Sequence, residues 1–270
     1  MRHLVSVTVL GLCLAATATQ AETGVCVPST KGTQLTLEAQ PTDTVLEITP
    51  DTLNTTQRVL EARVRELGVD LFSVEIAAPA QLTVQLANQV DMDLAIQVLS
   101  SVGDLSFQQQ KHGTDTELLQ LRHIQDDLST SQESDLLEAN HEAIAQLFDP
   151  TDLTGAQVVD AIAYPSQYGR WAVTVEFDPT GTGQFADITR QLAGTGRRLG
   201  IFVDGRLLSD PTINVAYQDS GITGGSAVIS GNFTQTTAQE LAIQLRSQAL
   251  PTALELTAVE AVDLIPDCRR

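Results

Sequence analysis

Basic residues are scarce in this chain: 15 Lys and Arg face 34 Asp and Glu, a formal net charge of −19. They never run beyond adjacent pairs such as Arg197-Arg198. Nothing resembles the cationic stripe needed to displace counterions from a phosphate backbone, which argues against nucleic acid as a partner. Histidine is equally thin. His112, His123 and His141 are isolated, and neither a C-x-x-C pair nor an H-E-x-x-H helix exists, so a metal centre finds no ligand set. A Gly-x-Ser-x-Gly elbow is also missing. Acids are plentiful, but no pair is singled out for proton transfer. No catalytic residue, metal or cofactor is therefore expected. What remains is a chain of 270 residues that is 42% apolar, too hydrophobic for disorder and long enough for one or two packed cores.

Long apolar runs are absent after the first 21 residues. That leader opens with Arg2 and His3, continues through the apolar stretch 4–16, and closes on small residues at Thr19-Gln20-Ala21 or Ala16-Thr17-Ala18. The stretch is shorter than the roughly 20 residues a spanning helix needs, so it reads as a cleaved secretory signal. The mature chain is then expected to be exported, periplasmic or secreted, with no integral membrane segment. Cleavage leaves Cys26 and Cys268, which in an oxidising compartment form a candidate disulfide.

Residues 22–112 alternate strand and helix signals. Segments 34–38 and 45–48 read as extended. Segment 51–67 carries Leu53, Leu60, Val64 and Leu67 on one helical face, stopped by Gly68. Strands 72–76 and 82–86 flank a hairpin, a helix spans 91–102, and 105–109 is a further strand. This β-α-β-β-α-β order predicts a ferredoxin-like, split βαβ subdomain over 22–109. Residues 113–152 hold ten acids and a single base, Arg122, and read as a solvated acidic segment with helical pieces at 117–124 and 134–148. Beyond it, Thr154 is placed to cap a helix reaching 164, with Val158, Val159 and Ile162 inward. Trp171–Phe177 alternates as a strand. A helix at 184–192, strands Leu199–Val203 and 226–230, a helix opened by a Thr237/Glu240 capping box and closed by Pro251, and a strand at 254–262 complete the reading.

One motif imitates cofactor chemistry. Gly181-Thr182-Gly183 follows a strand and opens a helix, with Asp204 ending the next strand, in outline a dinucleotide fingerprint. Too few alternating units follow to build two mononucleotide halves, and Asp204-Gly205 is a strong turn dipeptide.

Several phrases of the second half recur together in a known family. Leu153-Thr154-Gly155-Ala156, Val175-Glu176-Phe177-Asp178, Gly196-Arg197-Arg198-Leu199, Ile229-Ser230-Gly231-Asn232-Phe233-Thr234 and Ala249-Leu250-Pro251 stand here in the order and spacing of the first periplasmic domain of SecD, the accessory subunit of the bacterial Sec translocase. In the first half, Arg63-Val64-Arg65-Glu66-Leu67-Gly68-Val69 resembles the base of the same domain. The resemblance implies an α+β fold: a ferredoxin-like base with an inserted α+β head at 110–251, and a return of residues 252–270 to the base. It implies a head that swings on the base through Lys111, His112, Leu250 and Pro251. The expected function is a polypeptide-binding module for unfolded or extended exported chains, working beside Sec translocase components; the alternative is a structural protein docking on an envelope complex. Asp204, Gly205, Pro211, Gly231, Asn232 and Phe233 are candidate client-contact or turn positions. The family continues into proton-coupling transmembrane helices that are not among these residues, so a stand-alone exported domain without a motor is expected. Where the family has Gly, this chain has Gln248.

Overall fold

The computed structural model describes residues 30–42, 45–88, 90–128 and 133–264. The leader 1–21, Cys26 and Cys268 lie outside them. Among the described residues no helix is long and apolar enough to cross a membrane.

The base is built from both halves of the chain. Strand β1 (Thr30–Gln40) is followed by helix α1 (Pro50–Glu66), the hairpin β2 (Phe72–Ala78) and β3 (Gln81–Ala87), and helix α2 (Met92–Ser100). The last strand, β11 (Ala253–Leu264), returns to complete a four-stranded antiparallel sheet of order β11-β1-β3-β2. Local chemistry sets the helix ends. Thr49 accepts from the amide of Thr52 at 3.2 Å ahead of Pro50, and Gly68 leaves α1 at φ +74°. Both helices contribute to the core on one sheet face, where Leu60, Val64 and Leu99 meet Leu35, Leu82, Leu86 and, from the far end of the chain, Leu250 and Leu254. Residues 45–48 are not a strand. Leu46 is exposed, and only Ile48 packs on the core.

The strand at 105–109 does not close the base as expected. As β4 (Leu105–Gln110) it pairs with β5 (Phe148–Thr154) and β8 (Leu199–Val203), in a sheet of order β5-β4-β8-β9 that ends on β9 (Arg206–Ser209). The chain thus leaves the base at residues 101–104, not near 110. A second head sheet has the order β10-β7-β6, formed by β10 (Ser226–Phe233), β7 (Trp171–Phe177) and β6 (Val158–Pro165). Helices α5 (Pro179–Leu192) and α6 (Gln235–Arg246) help fill the head core. At its centre Phe107 is fully buried and meets Phe177 and Phe185 edge-on, at ring distances of 5.5 and 6.1 Å. The outer face of the four-stranded sheet is covered by α3 (Asp115–Leu128) and α4 (Ser134–Ala145), through Leu118, Ile144, Phe148 and Phe202. The acidic segment is therefore a packed helical pair whose charges face outward.

Four boundaries differ from expectation. Thr154 caps only a 3₁₀ turn, and residues 158–165 form β6, paired along β7, with Val159 and Ile162 exposed. Two adjacent valines with Ile162 and Tyr164 favour a pleated conformation over a helix, and a waiting partner strand decides the matter. Residue 148 opens β5 because the chain turns at Gln146-Leu147, after α4. Helix α5 begins at Pro179 under the cap of Asp178, earlier than 184. Helix α6 is capped by Thr234 in a reciprocal box with Thr237, one turn before the expected box, and ends at Arg246. Gln248 then takes the left-handed conformation, φ +68°, that the family's glycine would adopt without a Cβ penalty.

Candidate functional site

The two head sheets meet at free edges. Strand β9 ends one sheet and β10 ends the other, and the two run alongside each other without joining in a ladder. The approach is close at Gly231, where a Cβ would lie at contact distance, 3.4 Å, from the Leu208 carbonyl oxygen and 3.2 Å from the Phe233 ring. The β10–β7 register breaks at this point. Ser230 faces Ala172 and Phe233 faces Trp171, so Gly231 and Asn232 bulge out of the ladder.

Over this bulge lies a groove of about 1210 Å³, bordered by Trp171, Pro211, Asn232 and Phe233 and, across from them, by Arg122 of α3. Its polar groups are held in place. Arg170 donates to the Asn232 amide oxygen at 2.7 Å, and Asp210 is paired with both Arg122 and Arg198. On the other side of Pro211 a second cavity of about 290 Å³ is more apolar, lined by Phe185, Ile201, Ile213, Ile222 and Ala227. Val215, Tyr217 and Val228 stand exposed around it. The loop carrying Val215 and Tyr217 is fastened to α5, where the buried Thr189 hydroxyl accepts from the amide of Ile222 at 2.8 Å.

Four of the six candidate contact residues, Pro211, Gly231, Asn232 and Phe233, therefore border one groove. Asp204 and Gly205 do not. They form the two-residue β8–β9 turn, both at positive φ (50° and 75°), as such hairpins require. There the Asp204 carboxylate accepts from the amide of Asp104 at 2.8 Å, against the segment that enters the head. The hinge candidates are also split. Leu250 donates its amide to the Val102 carbonyl at the head–base junction, with Pro251 beside it, whereas Lys111 follows β4 and bonds to Leu147 and Gln146, with His112 next in the chain. The dinucleotide outline dissolves: the Asp178 side chain takes the Gly181 amide at 2.6 Å, and Gly181 is small because a Cβ would sit 2.7 Å from Gln157. Among the described residues no His, Cys, Asp and Glu gather as a metal site.

The junction holds a residue that sequence reasoning passed over. Arg63 of α1 is fully buried and donates to the carbonyls of Val98, Ser101, Val102 and Gln248 and to the Ser247 hydroxyl, at 2.6–3.3 Å. Burial pulls it down to about 10, partly offset by the charge of Asp204, so it stays cationic at neutral pH. Its signal was available: Arg63 stands between Leu60 and Val64 in the apolar stripe of α1. A second tie, Arg246 to Glu66 at 2.7 Å, also joins head to base, beside a groove of about 380 Å³ between Leu67, Leu94 and Ile162.

Comparison with known proteins gives a consistent result. Residues 131–252 match the family described as SecDF, P1 head subdomain. The protein translocase subunit SecD of Synechocystis sp. is 38% identical over 244 residues, covering 83% of this chain and 52% of that protein. A solved structure of the membrane component SecDF that enhances protein export is 32% identical, with a TM-score of 0.65, and the match covers 85% of this chain and 100% of that one. SecDF in its super-membrane-facing form gives a TM-score of 0.69 at 31% identity, over 90% of this chain and 32% of that one. The chain spans about half the length of the SecD it matches.

Proposed function

Since the chain belongs to the SecD/SecDF family, in the part that forms its P1 domain, we propose that it assists protein translocation by holding extended segments of exported polypeptide against its head. The observation that carries this reading is the groove along the bulged edge of β10, continued beyond Pro211 by an apolar cavity. An extended chain would lie along the Gly231-Asn232 bulge, bond through its own backbone to the polar groups bordering the groove, and place alternate side chains into the cavity beyond Pro211. Backbone recognition suits a partner that must take many sequences. Such binding is weak by design, with dissociation constants of roughly micromolar order, because a chain in transit has to be released. The domain acts by contact, without covalent chemistry, and its partners beyond the client are the other translocase components.

A photo-crosslinking side chain at Asn232, in the protein as the cell makes it, should trap unfolded exported chains. One at Lys31, on the base, should trap far fewer. Equal yields at both positions would sink this reading. Capture of one folded envelope protein at Asn232 would favour the docking alternative.

The same reading puts the domain on the exported face of the membrane, where Cys26 and Cys268 meet an oxidant. The β1–β11 register supports their pairing: Thr30 faces Leu264, and each cysteine stands four residues beyond that pair in the sequence. Peptide mapping without reductant should recover the two joined. Finding both thiols free in exported protein would remove the bond from this account.

A further inference from the structure

Arg63 uses its whole guanidinium. Nη1 donates to Val98 and Ser101, Nη2 to Val102 and Gln248, and Nε to the Ser247 hydroxyl, so all five N–H groups are spent. The acceptors belong to two helix ends. Val98 lies in the last turn of α2, with Ser101 as its cap and Val102 just beyond; Ser247 caps α6, and Gln248 follows. At the α2 end Arg63 meets terminal carbonyls directly, at the negative pole of the helix dipole. At the α6 end the Ser247 hydroxyl donates to the Ile243 and Gln244 carbonyls and itself accepts from Arg63 Nε. Helix α2 has no basic residue in its own last turn. Helix α2 belongs to the base and α6 to the head, and each runs straight into one of the two segments that join the subdomains.

We propose that Arg63 is a shared C-terminal cap that locks the head helix α6 to the base helix α2 and so fixes the orientation of head on base. Three details fit a built device. Gly103 leaves the space, since a Cβ there would stand 3.1 Å from Nη2 and 3.2 Å from the Gln244 Cβ. Gln248 accepts a left-handed backbone at the point where its carbonyl meets the cation. The two segments also bond to each other directly, from the Leu250 amide to the Val102 carbonyl at 2.9 Å. Burying a cation is costly, and here carbonyl dipoles from two subdomains share the work of solvating it. Turning the head would strip two of the five donors and leave a buried charge part-solvated. Intermediate orientations are therefore disfavoured, and the junction either holds or lets go. Arg63 is a positioning residue, and this role is independent of what the head binds.

The test measures the distance between spectroscopic labels carried by unnatural amino acids at exposed Glu75 of β2 and exposed Asp187 of α5. The parent protein should give one narrow distribution. Arg63→Met, which keeps the stem and removes the donors, should raise the displaced population roughly tenfold or more, as befits loss of a charged hydrogen-bond set. Lysine at the same position, with a charge but no fork, should fall between. Should the Met variant fail to fold, Ser247→Ala decides the matter. It removes a head-side acceptor outside the base core, together with that hydroxyl's own bonds to the Ile243 and Gln244 carbonyls, and should broaden the distribution in the same direction by a smaller factor. Folded Arg63→Lys and Ser247→Ala proteins that both keep the parental distribution would overturn the proposal.

Discussion

Replacing Phe107 by alanine is expected to destabilise the head by about 3–5 kcal/mol, the usual range for a buried phenylalanine. The side chain is completely covered and anchors the cluster with Phe177 and Phe185, where β4, β7 and α5 meet. Deleting the ring removes its apolar contacts and both edge-on contacts, and the two sheets around it cannot close the gap without breaking their ladders. Calorimetry should show the head transition falling by on the order of 10 °C. The base shares little of this core, since its own cluster is built from other residues, and its transition should move far less. A fall of the whole molecule by the same amount would mean that head and base unfold as one unit.

Gly221→Ala should be nearly as severe, for a different reason. A Cβ at this position would stand 1.8 Å from the Ala186 carbonyl oxygen and 2.6 Å from its carbon, both backbone atoms of α5, and the glycine sits at φ +68°. Neither the helix nor the turn can yield, so the loop must lift, breaking the bond from the Ile222 amide to Thr189. Combining overpacking with a left-handed alanine gives a cost of about 2–4 kcal/mol. Tyr217 and Ile222 line the apolar cavity, so the variant should also lose crosslinking at Asn232 to exported chains before it loses its far-ultraviolet circular dichroism. A variant matching the parent in both melting temperature and crosslinking would show that the loop is not held as described.

These positions differ in how far the chain alone announces them. Periodicity was enough for α1, where Leu53, Leu60 and Val64 repeat at helical spacing, and for Trp171–Phe177, where Trp171, Val173, Val175 and Phe177 stand at every second position. It misled at 158–165, because Thr154-Gly155 resembles a helix start and Val158, Val159 and Ile162 fit a helical face as well as a strand, until the ladder with β7 settles it. Which sheet a strand joins is a long-range question. Segment 105–109 is a strand on any local criterion, yet its partners at 148–154 and 199–203 place it in the head. The groove was half legible. Gly231, Asn232 and Phe233 could be picked out as a phrase, but Arg122, Asp210 and Arg170 come to them from distant elements. Arg63 was hidden by its type, since a lone arginine in a helix is ordinarily solvent-facing, and only the convergence of α2 and α6 explains its burial.

The return of β11 to β1 has a consequence for the newborn chain. Residues 30–100 emerge early, yet their sheet lacks its outer member until residue 264 has been made. For most of synthesis β1 is a bare rim that could seize a neighbour's strand. The ladders of the head lie between residues 105 and 233, and its core is completed by α6, which ends at Arg246, so the insert can mature before the final strand comes home. Closure of the platform is thus expected to be the late, slow step of folding, because it joins the most distant parts of the chain.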